Sequence, residues 1–595
     1  MPIHLLLIAQ NTYEVNVVLP AQNKEACKVT IKVPSVVEKT VVYFLPSSSS
    51  SDYLSAGFDN NIKNFKAIDK EGNELPYVLE NSNIVKIKRA NLLDKISYEV
   101  YAHTENEKGK TFYQPGSLIF ERDLFLLNYN AMLGYLDGYA FRPYKVNIVN
   151  HQNLQSHSSL DYTLVDADTL QVKLGNYSQL FENPLLLANV DTATINYKGS
   201  EFKIAYLDKN KNYTINTIKE WLEPVVKAVG DFNDGFPIEK YQFTILLEDE
   251  VSDIGEDAEQ FGGLHHQTSS LYILPKIRLR PKMQALLQRL TMHELLHLIT
   301  PLALHGEDLA PPGVFSSANS KHLWLYEGVT EYFSLLLLYR NGLISERKFL
   351  NEISKKIFFT ERFPKSSLTD MSENIDDSNY NYQFRNFYNK GAIIAFMLDI
   401  ELRHLSRGKT GLENVILEMT KQPEKGIGFA EDGFFDWFNE VSTYNFSKFF
   451  SDYLIKGKNI NYKGHVNKVG YNYLGHLTKP YFDFGQFSIG WDERIDAFRF
   501  KNVGPNNFDC KEGDIIRTIN KRDANDNQLK YVYESLMQPK SERPTFVTVL
   551  RAGEVIELHA QPNRSNKTYY YQVVNKEKPS EAQLFLKYNL FKKAG

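Results

Sequence analysis

The hydrophobic period of the chain changes twice, and this change most restricts the folds that it can adopt. Between Thr12 and about Leu207, apolar and polar residues alternate in short runs such as TYEVNVVLP and YKVNIVN. From about Tyr213 the spacing becomes helical, as in TINTIKEWLEPVVKAVGDF, and from roughly Pro480 strand patterns return, as in TFVTVLRAGEVIELHA. Alternation indicates strands, and a spacing of three and four residues indicates helices. The pattern predicts a multidomain α+β protein with an N-terminal antiparallel β domain, a mainly helical middle and a β-rich C-terminal region.

A chain of 595 residues is too long for a single hydrophobic core, so two to four domains are expected. The changes of pattern place an N-terminal β domain at 12–207, a mainly helical domain at 208–475, a β-rich domain at 476–575 and a C-terminal tail at 576–595.

Composition and charge exclude several classes of protein. Hydrophobic residues make up 43% and charged residues 24%, as in ordinary globular proteins. The net charge of -4 provides no positive field for a phosphate backbone, so nucleic acid is not an expected partner. Cys27 and Cys510, the two cysteines, fit neither a disulfide framework nor a paired-cysteine metal motif.

No membrane span is predicted, because the longest apolar run inside the chain, SLLLLY, is far shorter than the roughly 20 residues that cross a bilayer. The start of the chain, MPIHLLLIAQ, resembles the end of a truncated secretory signal, which would make the protein periplasmic or secreted. The alternative is an ordinary terminus before the first strand, in a cytoplasmic protein.

The stretch HELLH holds two histidines four positions apart, with a glutamate directly after the first. On a helix, His293 and His297 lie one turn apart on one face and can direct two imidazole nitrogens at one metal ion. Glu294 is offset beside the ion, where its carboxylate can take a proton from water. The alternative is an ordinary amphipathic helix that carries a histidine pair.

A catalytic zinc needs a third protein ligand and one open position. His305 and His322 are candidates, but both lie in surroundings typical of surface histidines. Glu327, in LWLYEGVTEYF, is the better candidate, because Glu331 follows at i+4 on the same face and could accept the N–H of a ligand histidine. The alternative is that both glutamates lie on a solvated face.

Three segments, HELLH, LWLYEG and FYNKGAIIAFMLDIELR, resemble the glycyl aminopeptidase family of gluzincin zinc metallopeptidases. The resemblance implies a peptide substrate and one zinc ion per chain, with His293, His297 and Glu327 as ligands and Glu294 as general base. It also implies that Tyr388, in the YxKG segment, steadies the oxyanion. A phenol hydroxyl suits that task because it is a neutral hydrogen-bond donor.

The resemblance implies an architecture as well: an N-terminal β domain, a thermolysin-like catalytic domain and a C-terminal PDZ-like domain. The segment NVGPNNFDCKEGDIIRTINKRD resembles the carboxylate-binding loop and following strand of a PDZ domain. Domains of this type capture peptides or chain ends by adding a strand to a sheet edge. Peptide or chain-end binding by this domain is therefore an expectation.

The chain departs from the family at the strand that lines the substrate cleft. Members carry GGLEH there, with the glutamate assigned to recognition of the free amino terminus, whereas this chain has FGGLHHQTSS. Gly262, Gly263 and His265 occupy the matching positions, and Glu259 could replace the lost carboxylate only if its loop folds back. We expect an aminopeptidase-like enzyme with altered recognition of the amino terminus. The alternatives are an endopeptidase of the same fold and a non-catalytic peptide-binding scaffold.

Overall fold

A computed structural model describes residues 11–21, 26–45, 61–81, 83–102, 116–209, 211–248, 263–275, 277, 280–309, 319–421, 428–492, 495–525 and 528–592. Three predicted features lie outside these residues: the signal-like start at 1–10, Glu259 and Gly262. The chain divides into two compact units, one drawn from residues 1–277, 283–470 and 577–595 and the other from residues 278–282 and 471–576.

The N-terminal β region contains three sheets that share one apolar core. Along the first strand, Val15 and Val17 point into the core while Glu14 and Asn16 point outward, as the alternation predicted. The pairs are antiparallel except that the first strand and β11 run parallel. The strands and the one short helix of this region are β1 Tyr13–Val18, β2 Cys27–Lys32, β3 Thr40–Phe44, β4 Ile62–Asp69, β5 Tyr77–Asn81, β6 Ile84–Lys88, β7 Leu93–Val100, β8 Ile119–Glu121, β9 Leu124–Leu127, β10 Tyr135–Leu136, β11 Tyr144–Val149, β12 Ser156–His157, β13 Thr163–Leu164, β14 Thr169–Leu174, α1 Tyr177–Phe181 and β15 Leu185–Ala188.

Within the described residues, these strands form a seven-stranded sheet of order β13-β14-β11-β1-β2-β7-β4 and two four-stranded sheets of orders β10-β3-β6-β5 and β12-β15-β9-β8.

A five-stranded sheet follows, with the order β16-β17-β18-β20-β19. Its first two strands, which the sequence analysis placed in the N-terminal domain, hydrogen-bond into this sheet instead. The central strands run parallel and are apolar along nearly their whole length, as expected for strands covered on both faces. The five strands are β16 Asp191–Tyr197, β17 Ser200–Asp208, β18 Lys240–Glu248, β19 Gly263–His265 and β20 Ser269–Pro275.

The N-terminal region supports the edge of this sheet. Apolar side chains of β8, β9 and β15 form a cluster with Leu264, Leu271 and Ile273 of the edge strands. At the turn between β19 and β20, Thr268 Oγ1 donates to Asn183 Oδ1 over 2.7 Å, and the backbone N–H of Gln267 donates to a carboxylate oxygen of Glu182. The short strand β19 is therefore held from outside the sheet.

The middle of the chain is mainly helical. Its helices are α2 Ile215–Phe232, α3 Arg280–Leu296, α4 Thr330–Arg340, α5 Glu346–Thr360, α6 Leu368–Glu373, α7 Ser378–Asn381, α8 Arg385–Leu405, α9 Leu412–Thr420, α10 Phe434–Ser442, α11 Ser447–Phe450 and α12 Tyr462–Asn467. Wide π-helical turns precede α4, at Trp324–Val329, and follow α11, at Ser451–Ile455, and 3-10 turns occupy Ala90–Leu92, Tyr129–Ala131 and Glu431–Gly433. Among the helices that the structure describes, none combines the length and apolarity that crossing a bilayer requires.

The predicted helix over about 282–300 ends early, at Leu296. Beyond this point the chain continues as a tighter turn, in which the N–H of Leu298 bonds to the carbonyl of Leu295. The residue before a proline avoids the α-helical conformation, so Thr300, which precedes Pro301, helps to end the helix.

The second unit is a β-rich insertion. The chain enters it through β21 Tyr471–Asp483 and leaves through β28 Asn563–Asn575, which pair with each other as a long antiparallel ribbon. Its six-stranded sheet has the order β22-β23-β24-β26-β27, with β25 paired to β24. These elements are β22 Ser488–Asp492, β23 Ala497–Lys501, β24 Ile515–Ile519, β25 Arg522–Asp523, α13 Leu529–Met537, β26 Thr545–Arg551 and β27 Glu554–Ala560. The predicted sequence of a β domain, a helical region and a β-rich C-terminal region is confirmed.

The chain returns to the first unit with α14, Glu581–Phe591, within the segment predicted as a tail. Two buried arginines of α4 and α8 hold the end of this helix. Arg340 donates to the carbonyl oxygen of Leu590 over 2.8 Å, and Arg403 donates to that of Asn589 over 2.7 Å. Helix α14 is thus an integral part of the first unit.

We expect Leu590→Ala to lower the free energy of unfolding of the first unit by about 2–5 kcal/mol. The side chain of Leu590 is fully buried, and its removal leaves a cavity. Leu584→Ala, at a position of the same helix that is 49% exposed, should change it by less than about 0.5 kcal/mol. Thermal unfolding followed by circular dichroism measures both, and equal effects of the two substitutions would contradict the docking of α14.

Candidate active site

Helix α3 and the turn directly after it bring His293 and His297 together on one buried face, as their spacing predicted. The Nδ1 atom of each ring is already committed as a donor. His293 Nδ1 donates to Glu331 Oε2 over 3.0 Å, and His297 Nδ1 donates to the carbonyl oxygen of Thr300 over 2.9 Å. When the rings are neutral, the two Nε2 atoms therefore carry the lone pairs, which a metal ion can use.

The π-helical turn before α4 brings Glu327 to the same point. Its Oε2 atom lies 3.3 Å from His293 Nε2 and 3.7 Å from His297 Nε2. Ligands at 2.0–2.1 Å from a tetrahedral zinc are roughly 3.4 Å apart, so this donor set has the spacing of a zinc site. Glu327 Oε1 is buried and, among the described residues, has no hydrogen-bond partner, as expected of an oxygen that faces a cation.

The electrostatics of the cluster favour a cation. Burial alone would lower the pKa of His293, but the carboxylates of Glu327 and Glu331 outweigh it and raise the pKa to about 10. Burial would raise the pKa of Glu327, but the neighbouring imidazoles of His297 and His293 lower it to about 2. Burial, with His265 beside it, lowers the pKa of His297 to about 3 and keeps that ring neutral.

Glu294 lies beside the donor set, against the backbone of β19. A Cβ atom at Gly263 would lie 2.8 Å from both Cγ and Oε1 of Glu294, so the close approach of the strand requires glycine there. Burial would raise the pKa of Glu294, but hydrogen bonding to His265 and the charge of His293 lower it. Glu294 is therefore an ionised carboxylate and can act as a base.

His265 points into the site and His266 points away from it, as successive residues of a strand do. The ring of His265 stacks on that of His297, with centroids 3.9 Å apart, and its Nδ1 atom lies 3.5 Å from Glu294 Oε2. His266 Nδ1 lies 3.9 Å from a carboxylate oxygen of Glu182.

A cavity of about 270 Å³ opens over these groups. Tyr388, on α8, lies in its wall with its ring stacked near His293 at a centroid distance of 5.7 Å. The cavity is lined by Gly263, His265, Arg289, Leu290, His293, Glu294, His297, Glu327, Glu331, Lys356, Phe384, Arg385, Tyr388 and Asn389. Every site residue predicted from the sequence thus lies around one cavity, except Gly262, which is outside the described residues.

Comparison with known families decides the identity of the two regions just described. Residues 12–189 match the peptidase M61 N-terminal domain, and residues 287–394 match the M61 glycyl aminopeptidase domain. The first range ends one residue after β15, and the second runs from the middle of α3 past Tyr388. The chain thus contains an M61 N-terminal domain and an M61 glycyl aminopeptidase domain, which identify it as a peptidase.

Solved structures show the same fold in a distant relative of this M61 peptidase. An aminopeptidase N family protein from Idiomarina loihiensis is 17% identical over 96% of this chain and 100% of its own, with a TM-score of 0.69. An M1 zinc metallopeptidase from Deinococcus radiodurans is 12% identical over 76% of this chain and 94% of its own, with a TM-score of 0.44. A mutant of that enzyme bound to a Tyr-Ser-Ala substrate is 14% identical over the same shares, with a TM-score of 0.43. A search of curated proteins finds no match.

Two glycines of the M61 peptidase allow the two helical segments of the site to cross closely. A Cβ atom at Gly328 would lie 2.6 Å from the Cα atom of Gly391 and 2.9 Å from the carbonyl oxygen of Phe387. These glycines follow Glu327 and Tyr388 by one and three residues. The close crossing therefore fixes how far the carboxylate and the phenol lie from the histidines.

Sequence reasoning missed several groups around the site. Lys356 Nζ lies 2.8 Å from Glu331 Oε1, and Arg289 lies 3.9 Å from the same oxygen. Arg289 precedes His293 by one helical turn, so its place on the same face of α3 could have been predicted from the spacing alone. Lys356 comes from α5, and no local pattern connects that helix to the site. The alternative ligands His305 and His322 hydrogen-bond elsewhere, to the carbonyl oxygens of Pro301 and Glu431.

We expect Gly328→Ala to weaken metal binding by tenfold or more and to lower the unfolding temperature, because the added methyl group forces the two helical segments apart and moves Glu327 from the histidines. Gly433→Ala is the matched control, since a methyl group there meets only an ordinary contact at 3.4 Å. Metal titration and thermal unfolding measure the effects, and unchanged metal affinity in Gly328→Ala would contradict the role of this crossing.

Proposed function

We propose that this M61 peptidase is a zinc-dependent metallopeptidase, with one catalytic zinc held by His293, His297 and Glu327. The observation that carries the proposal is the distance of 3.3 Å and 3.7 Å from one carboxylate oxygen to two imidazole nitrogens that present lone pairs. Without a metal ion, a proton on His293 Nε2 can bridge to Glu327 Oε2, and a bound cation takes the place of that proton. The donor set of two imidazoles and a carboxylate is typical of catalytic zinc sites with one open position.

In this proposal Glu294 is the general base. When bound, zinc supplies a Lewis acid that polarises the scissile carbonyl and acidifies water. The Glu294 carboxylate takes the proton of the attacking water and returns it to the nitrogen of the leaving amine. Its lowered pKa keeps it ionised, and Gly263 gives the carboxylate a fixed position beside the donor set.

Tyr388 has the complementary role at the carbonyl oxygen. As oxygen becomes negative during the attack, the phenol hydroxyl donates a hydrogen bond to it. The stacking of Tyr388 near His293 and its place in the cavity wall support this assignment.

Glu331 and Thr300 orient the histidines. Glu331 accepts from His293 Nδ1, and its own charge is balanced by Lys356 at 2.8 Å. The Thr300 carbonyl accepts from His297 Nδ1. Such partners fix the tautomer and the direction of a metal-binding imidazole, and their loss typically weakens metal binding or activity by 10–100-fold.

The charged side chains in the cavity affect how the amino terminus of a peptide substrate could bind. Among the described residues that line the cavity, each of the three carboxylates already faces a histidine: Glu294 faces His265, and Glu327 and Glu331 both face His293. An ammonium group would therefore compete with existing partners. This supports an aminopeptidase-like enzyme with altered recognition of the amino terminus, in which His265 takes the place of the acidic residue.

An endopeptidase of the same fold is the second candidate, and a non-catalytic peptide-binding scaffold is the third. Fluorogenic peptides with free and with blocked amino termini separate them. Cleavage of free peptides alone supports the aminopeptidase, cleavage of blocked peptides supports the endopeptidase, and binding without cleavage supports the scaffold.

We also propose that the second unit is a PDZ-like domain that binds peptides or chain ends. A sheet with accompanying helix α13 and an edge strand at each end, β22 and β27, is compatible with strand addition by an extended peptide.

We expect Glu294→Gln to retain zinc and to lose at least 1,000-fold in kcat/KM, because the amide has the shape of the carboxylate but cannot accept the proton. Zinc content is measured by atomic absorption and hydrolysis with the peptide panel. Glu440→Gln, on the exposed face of α10, is the control and should hydrolyse at the wild-type rate. Undiminished turnover in Glu294→Gln would rule out this mechanism.

We expect Tyr388→Phe to lower kcat by about 100–1,000-fold with KM and zinc content little changed, the loss typical of one oxyanion donor. Tyr382→Phe, at a tyrosine that is 58% exposed, serves as the control. A change confined to KM would instead assign Tyr388 to substrate binding.

A further inference from the structure

A second group of metal-ligand atoms lies directly beside the first. Within the described residues, His265, Glu294 and His297 each offer one such atom, and these atoms all lie within 4.8 Å of one another. The three side chains are 5%, 7% and 2% exposed. Two of them, His265 and Glu294, are not ligands in the proposed zinc site.

We propose that His265 and Glu294 form a second, weaker binding position for a divalent cation, and that its occupation blocks hydrolysis. The inhibitory effect rests on the proposed function, in which Glu294 is the base, whereas the binding position itself rests on the geometry alone.

The spacing of the two donors fits a cation. His265 Nδ1 and Glu294 Oε2 are 3.5 Å apart, close to the roughly 3.4 Å between two ligands of a tetrahedral zinc. An imidazole and a carboxylate are also donors that suit zinc and similar divalent ions.

Both donors are held in place before any ion arrives. The close approach of Gly263 confines the Glu294 side chain. His265 lies on β19, where it pairs with Ser270 of β20, and its ring is stacked on that of His297. Preorganised donors lose little side-chain freedom when they bind an ion, which favours binding by only two protein ligands.

His297 can serve only one ion at a time. Its Nδ1 atom donates to the Thr300 carbonyl, so Nε2 is its single available lone pair. While zinc occupies the first site, the second position has His265, Glu294 and solvent as ligands. We therefore expect it to fill at a higher metal concentration than the first site.

A cation at this position would prevent Glu294 from acting as the general base. A cation bound to Glu294 Oε2 withdraws charge from the whole carboxylate, which makes it a much weaker acceptor for the proton of the attacking water. An excess of zinc would then stop hydrolysis without displacing the ion held by His293, His297 and Glu327.

Zinc binding by the full-length protein tests the proposal. Metal-free protein is dialysed against buffers of stepped free zinc concentration, and bound zinc per chain is measured by atomic absorption. Wild type should show a tight first zinc and a weaker second one. His265→Ala and His265→Phe should keep the tight zinc and lose the weaker one, and the phenylalanine variant maintains a ring in the cavity without a donor. His404→Ala, at an exposed position of α8, should keep both.

Hydrolysis measured at the same zinc concentrations tests the consequence. Each protein is compared with its own rate at one zinc per chain, so that any other effect of the substitution cancels. Wild type and His404→Ala should lose at least tenfold in rate as the second zinc binds. The two His265 variants should lose less than twofold over that range.

Two results would overturn the inference: a single zinc per wild-type chain at all concentrations, or a second zinc and its inhibition retained in both His265 variants. A wild-type protein with one zinc per chain that cleaves no peptide would overturn the proposed function instead. In that case the zinc counts would still decide whether His265 and Glu294 bind a cation.

Discussion

Two imidazole nitrogens and one carboxylate oxygen converge at a buried point, and this arrangement requires positive charge between them, from a proton or from a metal ion. The distances from Glu327 Oε2 to the two Nε2 atoms are those between neighbouring ligands of one ion. Because these groups are buried, their attraction for a cation is stronger than it would be in water. The surrounding helices of the first unit form the framework that holds the three groups together.

That framework acts through backbone proximity as much as through side chains. Gly328 and Gly391 let two helical segments cross at a distance that no larger residue permits, and Gly263 lets a strand approach Glu294. Carbonyl and carboxylate acceptors then fix the ring directions of both histidines. Glycines set the separations of the backbone segments, and hydrogen bonds set the orientations of the two histidine rings.

Much of this was predictable because its signals are local. The i+4 spacing of His293 and His297, the pair Glu327 and Glu331, and the alternation of the N-terminal strands each follow from the geometry of one element. The order of β and helical regions follows in the same way. Contacts between distant elements left no such signal: the pairing of Lys356 with Glu331, the approach of His265 to Glu294, and the return of the last helix to the first unit all depend on tertiary packing. The pairing of β16 and β17 with β18 was not predictable for the same reason, since alternation does not reveal a strand's neighbour.

The return of α14 to the first unit has a consequence for how that unit folds. Its carbonyl groups accept hydrogen bonds from Arg340 and Arg403, and its leucine fills a gap between helices that were translated long before. Until α14 docks, both arginines lack these carbonyl acceptors and the space of its leucine is empty, and each defect is costly in a buried environment. The first unit therefore reaches its full packing only when segments from both sides of the β-rich insertion have come together.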